Sequence, residues 1–261
     1  MSTATRVLEL ATRYLRTAGS CAALFTTGAF RAEGRERIGQ LSRLFGHVDV
    51  PPAELPEVLI DELTDATLPV VLREIDEVSG NVTLLELLAL ARLVRSRRPR
   101  TLFEIGTFDG RTTLNLAANA PEDARVYTLD LPAAGERTTT FALHDAERQY
   151  VRKAASGHRV HESDLASRVT QLFGDSGNYD FRPYIDQGVD FVFVDGSHVY
   201  EYARSDSLNA MAMLRGGHGT IVWHDYNGWR GVSEALHELR RDERFADLRW
   251  IAGTSLAVLD R

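Results

Sequence analysis

The sequence predicts an α/β protein: a doubly wound, mostly parallel sheet of seven strands that ends in an antiparallel hairpin and is preceded by a helical N-terminal extension. Three observations carry this. From Gly80 onward, short apolar runs alternate with stretches of helical periodicity. Runs such as Phe191-Val192-Phe193-Val194 are apolar at every position, as strands are when helices cover both faces of the sheet. The last two apolar runs have no helical stretch between them, so a tight antiparallel return is expected rather than a crossover.

Residues 1–80 form the extension and residues 81–261 the α/β domain. Val7, Leu8, Ala11, Tyr14 and Leu15 fall at helical spacing, as do Ile38, Leu41, Leu44 and Phe45. Pro51-Pro52 and Pro56 break the chain, and Leu55, Val58, Leu59 and Leu63 suggest a further short helix. Thr83-Leu84-Leu85-Glu86 reads as a capping box opening a helix to about Ser96, with Arg95, Arg97 and Arg98 at its C-terminal end and Pro99 stopping it. Strands follow at 101–106, 126–131, 169–173, 189–194, 220–223, 248–251 and 256–259, and helices at 112–118, 203–214 and 232–241. The segment 133–157 is longer than a simple connection and is expected to wall the ligand cleft.

Composition excludes several classes. Of the 261 residues 44% are hydrophobic and 26% charged, an ordinary globular balance. A formal net charge of -7 argues against a nucleic-acid partner. No window holds the ~18 uncharged apolar residues of a membrane helix, and Glu9 and Arg13 interrupt the one apolar stretch near the N-terminus that would resemble a secretory leader. Cys21 is the single cysteine, which rules out an intrachain disulfide and fits a reducing cytoplasm.

Ligands of such sheets bind at the carboxyl ends of the strands. The first strand of the domain ends in Glu104-x-Gly106-x-x-x-Gly110, directly before a helix that begins near Thr112. Thr107-Phe108-Asp109 fills the interval, so the spacing is not that of a dinucleotide fingerprint. Glu104 and Asp109 disfavour a pyrophosphate and suit a ligand with a cationic amino-acid end, such as S-adenosylmethionine. The second strand ends at Asp130, followed by Leu131, where a carboxylate can accept hydrogen bonds from ribose hydroxyls. The third ends before Asp175-Ser176, a polar turn able to meet an adenine edge. The fourth and fifth end in Asp195-Gly196-Ser197-His198 and Trp223-His224-Asp225-Tyr226. Carboxylates Asp195 and Asp225 on adjacent strand ends repel unless a proton or cation lies between them, and a divalent ion answers that need. His198 has the ordinary pKa of a base working near neutral pH. His224 either enters the crevice as a ligand or packs behind it, since neighbours on a strand point to opposite faces.

These segments resemble the class I methyltransferases, a Rossmann-like family, and the stretch from about Gly80 to Arg261 resembles bacterial O-methyltransferases of the macrocin and mycinamicin sugar type. The resemblance implies S-adenosylmethionine as cofactor, held by Glu104, Gly106, Thr107, Gly110, Thr112, Asp130, Leu131, Asp175, Ser176 and Asp195. It implies a Mg²⁺ or Mn²⁺ site at Asp195, His224 and Asp225, with His198 as base and Asp195 beside it in catalysis. The family's last two ligands are acid-acid or acid-amide, so His224 is a departure that leaves room for Mn²⁺, Fe²⁺ or no metal. The expected reaction is methyl transfer to a hydroxyl of a small molecule of sugar or natural-product type. A metal-free N- or C-methyltransferase and a non-catalytic cofactor-binding module are the alternatives. The extension, with short helices and apolar stripes, is expected to cover the acceptor site or to join subunits of a homo-oligomer, a dimer or higher.

Overall fold

The computed structural model describes residues 3–31, 34–35, 37–39, 41, 50–76, 78–153 and 155–261. The chain divides into two compact units, Met1–Asp49 and Val50–Arg261. In the first, helix α1 (Thr3–Thr26) leaves Tyr14, Leu15 and Phe25 exposed. The expected apolar pair Leu44 and Phe45 lies outside the described residues.

The second unit is built on an eight-stranded sheet in the order β1-β7-β8-β6-β5-β2-β3-β4. Its strands are β1 (Glu57–Val58), β2 (Thr101–Ile105), β3 (Arg125–Asp130), β4 (Val169–Phe173), β5 (Phe191–Val194), β6 (Thr220–Trp223), β7 (Arg249–Ile251) and β8 (Ala257–Asp260). β8 runs antiparallel to β6 and β7, and every other pairing is parallel. Seven of these strands and the terminal hairpin are those the sequence predicts. The eighth, β1, lies in the stretch read as helical. Two residues are too few to show alternation, and only Ile60–Leu63 (α2) of that stretch is helical.

Helices cover both faces. α3 (Leu84–Arg97) opens on the expected capping box: Thr83 Oγ1 accepts from the Glu86 amide while the Glu86 carboxylate accepts from the Thr83 amide. Leu87, Leu90 and Leu93 of α3 and Leu116 of α4 (Arg111–Asn119) pack on Leu102, Phe191, Phe193, Val222 and Val258. After α5 (Arg148–Val151), α6 (His158–His161) and α7 (Arg182–Gln187), helices α8 (Tyr200–Met213) and α9 (Arg230–Leu239) bring Ala210, Met213 and Leu236 onto Phe103, Val192, Ile221 and Trp223. Successive strand residues thus enter opposite cores, which is why β2, β5 and β6 are buried at every position.

The division between units falls at Asp49/Val50 rather than at 80. Residues 50–82 are fastened to the sheet domain by polar side chains. The Tyr226 hydroxyl accepts from the Glu54 and Leu55 amides. Asn115 and Asn119, one turn apart on α4, each pair with a backbone amide and carbonyl, those of Arg73 and Val71 respectively. The fully buried Arg111 guanidinium donates to the carbonyls of Glu74, Ile75 and Val82. Backbone recognised by side chains far along the chain leaves no periodic trace, so the sequence pattern stops short of it. Among the described residues no helix is long and apolar enough to cross a membrane.

Candidate active site

From β2 the chain steps outward through β3 to β4, then returns to β5 on the other side of β2. The reversal between β2 and β5 is the switch point at which open α/β sheets hold ligands. Two strand-end loops meet there so closely that a Cβ on Gly106 would lie 1.9 Å from the Asp195 carbonyl oxygen. Gly106 also has φ of 102° and Gly110 of 89°, and only glycine meets both demands at the first position.

The cofactor-side residues are assembled but more self-occupied than their spacing implies. Glu104 is fully buried and accepts from the Thr113 and Thr128 hydroxyls, while its Oε1 has no partner among the described residues. Burial pushes its pKa up to about 8, the two threonines offsetting only part of that. Thr107 lies beside Thr128 with hydroxyls 2.7 Å apart, and Thr112 is buried at the start of α4. Asp109 does not face the crevice as a free charge. Its Oδ1 accepts from the Arg111 amide and its Oδ2 lies 2.9 Å from Arg159 Nε. Asp130, at the end of β3, is held on Oδ2 by the Ser156 hydroxyl and by Lys153 Nζ at 2.7 Å. Leu131 is half-buried beside it. Asp175 accepts from the Tyr202 hydroxyl and from the Thr140 and Gly177 amides, and Ser176 donates to Asp206. The polar turn expected to meet adenine therefore spends much of its hydrogen bonding within the protein.

The other half is a histidine–carboxylate cluster. One ligand atom each from Asp195, His224 and Asp225 lies within 4.8 Å of the others. His224 and Asp225 converge because β6 ends at Trp223 and Asp225 takes φ of 65°, which cancels the strand alternation expected to separate them. His224 Nδ1 is 3.0 Å from Asp195 Oδ1 and 3.0 Å from Asp225 Oδ2. Its Nε2 faces Glu86 Oε2 at 3.3 Å. Glu86 is itself held by the Ser255 amide and hydroxyl, both at 2.7 Å. Asp225 Oδ2 also meets His198 Nε2 at 2.6 Å, and His198 Nδ1 meets Glu147 Oε1 at 2.7 Å. The His198 ring lies flat on Trp229, 4.4 Å between centroids and 10° between planes.

Burial favours neutral histidines here, but the surrounding carboxylates outweigh it. His198 is pushed up to about 10, by Asp225 first and Glu147 next, and His224 is raised by Asp225 and Asp195. Against burial, Asp225 is held well below the usual carboxylate range by both histidines. The ordinary pKa expected for His198 is therefore not its pKa in this setting: with Asp225 and Glu147 beside it, the ring holds its proton at neutral pH.

Residues 103–226 match the family model described as "Methyltransferase domain". The matched residues run from β2 to just past β6, so the likeness to a methyltransferase domain covers the switch point and the histidine–carboxylate cluster. Tapetum-specific methyltransferase 1 of Arabidopsis thaliana is 29% identical over 99 residues, which are 37% of this chain and 39% of that protein. The match thus spans about two fifths of the curated relative's length. Among solved structures, the calicheamicin methyltransferase CalS11 is similar with a TM-score of 0.51 at 19% identity, covering 88% of this chain and 93% of that one. TomG, an O-methyltransferase of Streptomyces achromogenes involved in tomaymycin synthesis and solved with S-adenosylmethionine, gives 0.48 at 20% identity over 86% and 97%. The likeness to CalS11 is one of fold.

Several residues of this site carry no sequence signal for their role. Glu86 reads as a helix cap, and its second duty behind His224 emerges only when α3 packs against the ends of β5 and β6. Glu147, Lys153 and Ser156 sit in the long 133–157 segment, whose length alone marks it. Asp206, fully buried on α8 and pushed up to about 7 by burial, looks like an ordinary surface acid in the sequence.

Proposed function

We propose that this protein is an S-adenosylmethionine-dependent methyltransferase acting on a hydroxyl of a small molecule, with a divalent ion at Asp195, His224 and Asp225. The observation that carries the reading is the junction at the switch point, where the glycine turn touches Asp195 and the three ligand atoms gather beside it. Glu104 is fully buried behind the glycine turn and raised toward protonation, so the support for S-adenosylmethionine is the turn itself together with Asp130 at the end of β3. The donor set fits a divalent ion: two carboxylates and one imidazole, with Glu86 on the far ring nitrogen in the manner of carboxylates that orient metal-bound histidines. The imidazole favours Mn²⁺ or Fe²⁺ over Mg²⁺.

In this reading the glycine turn, Asp130 and the Asp175-Ser176 turn would hold the cofactor, which would supply the methyl group. The acceptor oxygen forms a bond to that methyl carbon as the carbon–sulfur bond breaks, leaving S-adenosylhomocysteine. Alignment of the two reactants is the protein's main contribution, up to ~7–11 kcal/mol in well-oriented systems. His198 Nε2 takes the hydroxyl proton. A divalent ion, if held by Asp195, His224 and Asp225, would supply Lewis acidity toward the hydroxyl and would offset the Asp225 charge that keeps His198 protonated.

A second reading has an observation of its own. Three carboxylates around His224 let its imidazolium serve as a fixed cation, and a metal-free transferase follows from that. Calorimetry with S-adenosylhomocysteine and NAD, and transfer of labelled methyl to a panel of hydroxylated acceptors before and after exhaustive chelation, separate the possibilities. Cofactor binding without NAD binding, and transfer lost on chelation and restored by Mn²⁺, are expected. Transfer undiminished by chelation selects the metal-free reading, and tight NAD binding overturns both.

A further inference from the structure

The long segment after β3 reaches the site through one buried carboxylate. Glu147 opens α5 and is almost fully buried. It accepts from the His198 backbone amide, from His198 Nδ1 at 2.7 Å and from the Ser197 hydroxyl at 3.2 Å. It also accepts from the His144 amide at 2.8 Å, which fixes it within its own segment. Glu136, bound to both Arg148 and Arg152, braces the same turn from outside.

A histidine ring can flip to exchange its nitrogens, and which nitrogen meets a reactant depends on what holds the other. At His198 the choice is made from one side by Glu147, while Trp229 on the ring face fixes the plane. We infer that Glu147 is the positioning residue for His198, holding Nδ1 so that Nε2 is the nitrogen presented toward Asp225 and the crevice. The inference rests on the proposed role of His198 as proton acceptor. It adds that the base is completed by a residue from outside the strand ends, so that the 133–157 segment contributes to the chemistry and does more than wall the cleft.

Glu147 touches no reactant in this scheme, so its test reads the ring itself. In protein carrying ¹⁵N-labelled histidine, the His198 ring signals are assigned by their loss in His198→Gln. The wild type is expected to show a slowly exchanging proton on Nδ1, hydrogen-bonded and shifted downfield. Glu147→Gln, whose amide oxygen can still accept, should retain that proton, and Glu147→Ala should lose it or give a signal averaged over ring orientations. Calorimetry with S-adenosylhomocysteine on the same variants should return the wild-type affinity. A protected Nδ1 proton persisting in Glu147→Ala overturns the assignment, as does its absence from the wild type. Loss in both variants makes the carboxylate's charge, not its acceptor geometry, the determinant and likewise overturns it. Failure of the wild type to bind S-adenosylhomocysteine refutes the methyltransferase reading instead and leaves the ring measurement standing.

Discussion

The two halves of the crevice use carboxylates in opposite ways. On the β2–β3–β4 side, the acids are either neutral or already matched: Glu104 is raised toward protonation by burial, Asp109 faces Arg159, and Asp130 faces Lys153. On the β5–β6 side, Asp195 and Asp225 crowd around His224 and His198, and charge accumulates where it can act. In the proposed reading, the first side would shape the cofactor site and the second would handle protons and a cation. Burial alone does not distinguish them, since both are largely enclosed. What differs is whether each charge finds its partner in the surrounding scaffold or in another member of the site.

The sharpest way to break the comparison is at Asp225, which touches both histidines. Asp225→Asn should abolish Mn²⁺ binding, followed by electron paramagnetic resonance titration, and lower methyl transfer by at least the ~10²–10⁴ typical of lost acid–base catalysis. S-adenosylhomocysteine affinity should stay close to the wild type. A parallel loss of cofactor affinity would show that the two halves are one electrostatic unit.

Glu104 gives the next largest effect, on stability. Its pKa in the folded protein, about 8, lies above the 4.5 of an unburied glutamate. Between those values the unfolded chain loses a proton that the folded chain keeps, so stability should fall as pH rises from about 4.5 to 8 and level off above that. The contribution is on the order of a few kcal/mol. Glu104→Gln should flatten this slope in urea melts at pH 5 and pH 8. An unchanged slope would mean that Glu104 is ionised in the folded state and that the first half of the crevice is charged after all.

Glu86 probes how far the second half extends. Glu86→Gln keeps one acceptor oxygen, for either the Thr83 or the Ser255 donors, and weakens the hold on His224 Nε2, so metal affinity should drop about 10–100-fold alongside a lower melting temperature. A variant that loses stability but keeps metal affinity would return Glu86 to a purely structural role.

Asp130→Asn should have the smallest effect, since Lys153 and Ser156 already occupy one of its oxygens. About tenfold weaker S-adenosylhomocysteine binding by calorimetry, or ~1.4 kcal/mol, is expected if its carboxylate meets the ribose. Unchanged affinity would leave Asp130 as an anchor of the 133–157 segment.

The sequence by itself determined the sheet and its strand ends. Continuous apolar runs, the turn from Glu104 to Gly110, and acids at 130, 175, 195 and 225 are local patterns, and local patterns survive in a linear reading. The terminal hairpin and the capping box at Thr83–Glu86 were legible for the same reason. Tertiary structure decided the rest, because it depended on residues far apart in sequence meeting. It placed β1 against β7 and joined residues 50–80 to the sheet domain through Arg111, Asn115, Asn119 and Tyr226. It turned His224 and Asp225 to the same side through a left-handed residue that no spacing announces. It also set the protonation of His198 and Glu104, since a pKa is fixed by the charges and the solvent around a group, and folding alone brings Glu147 and Asp225 to His198 or seals Glu104 from water.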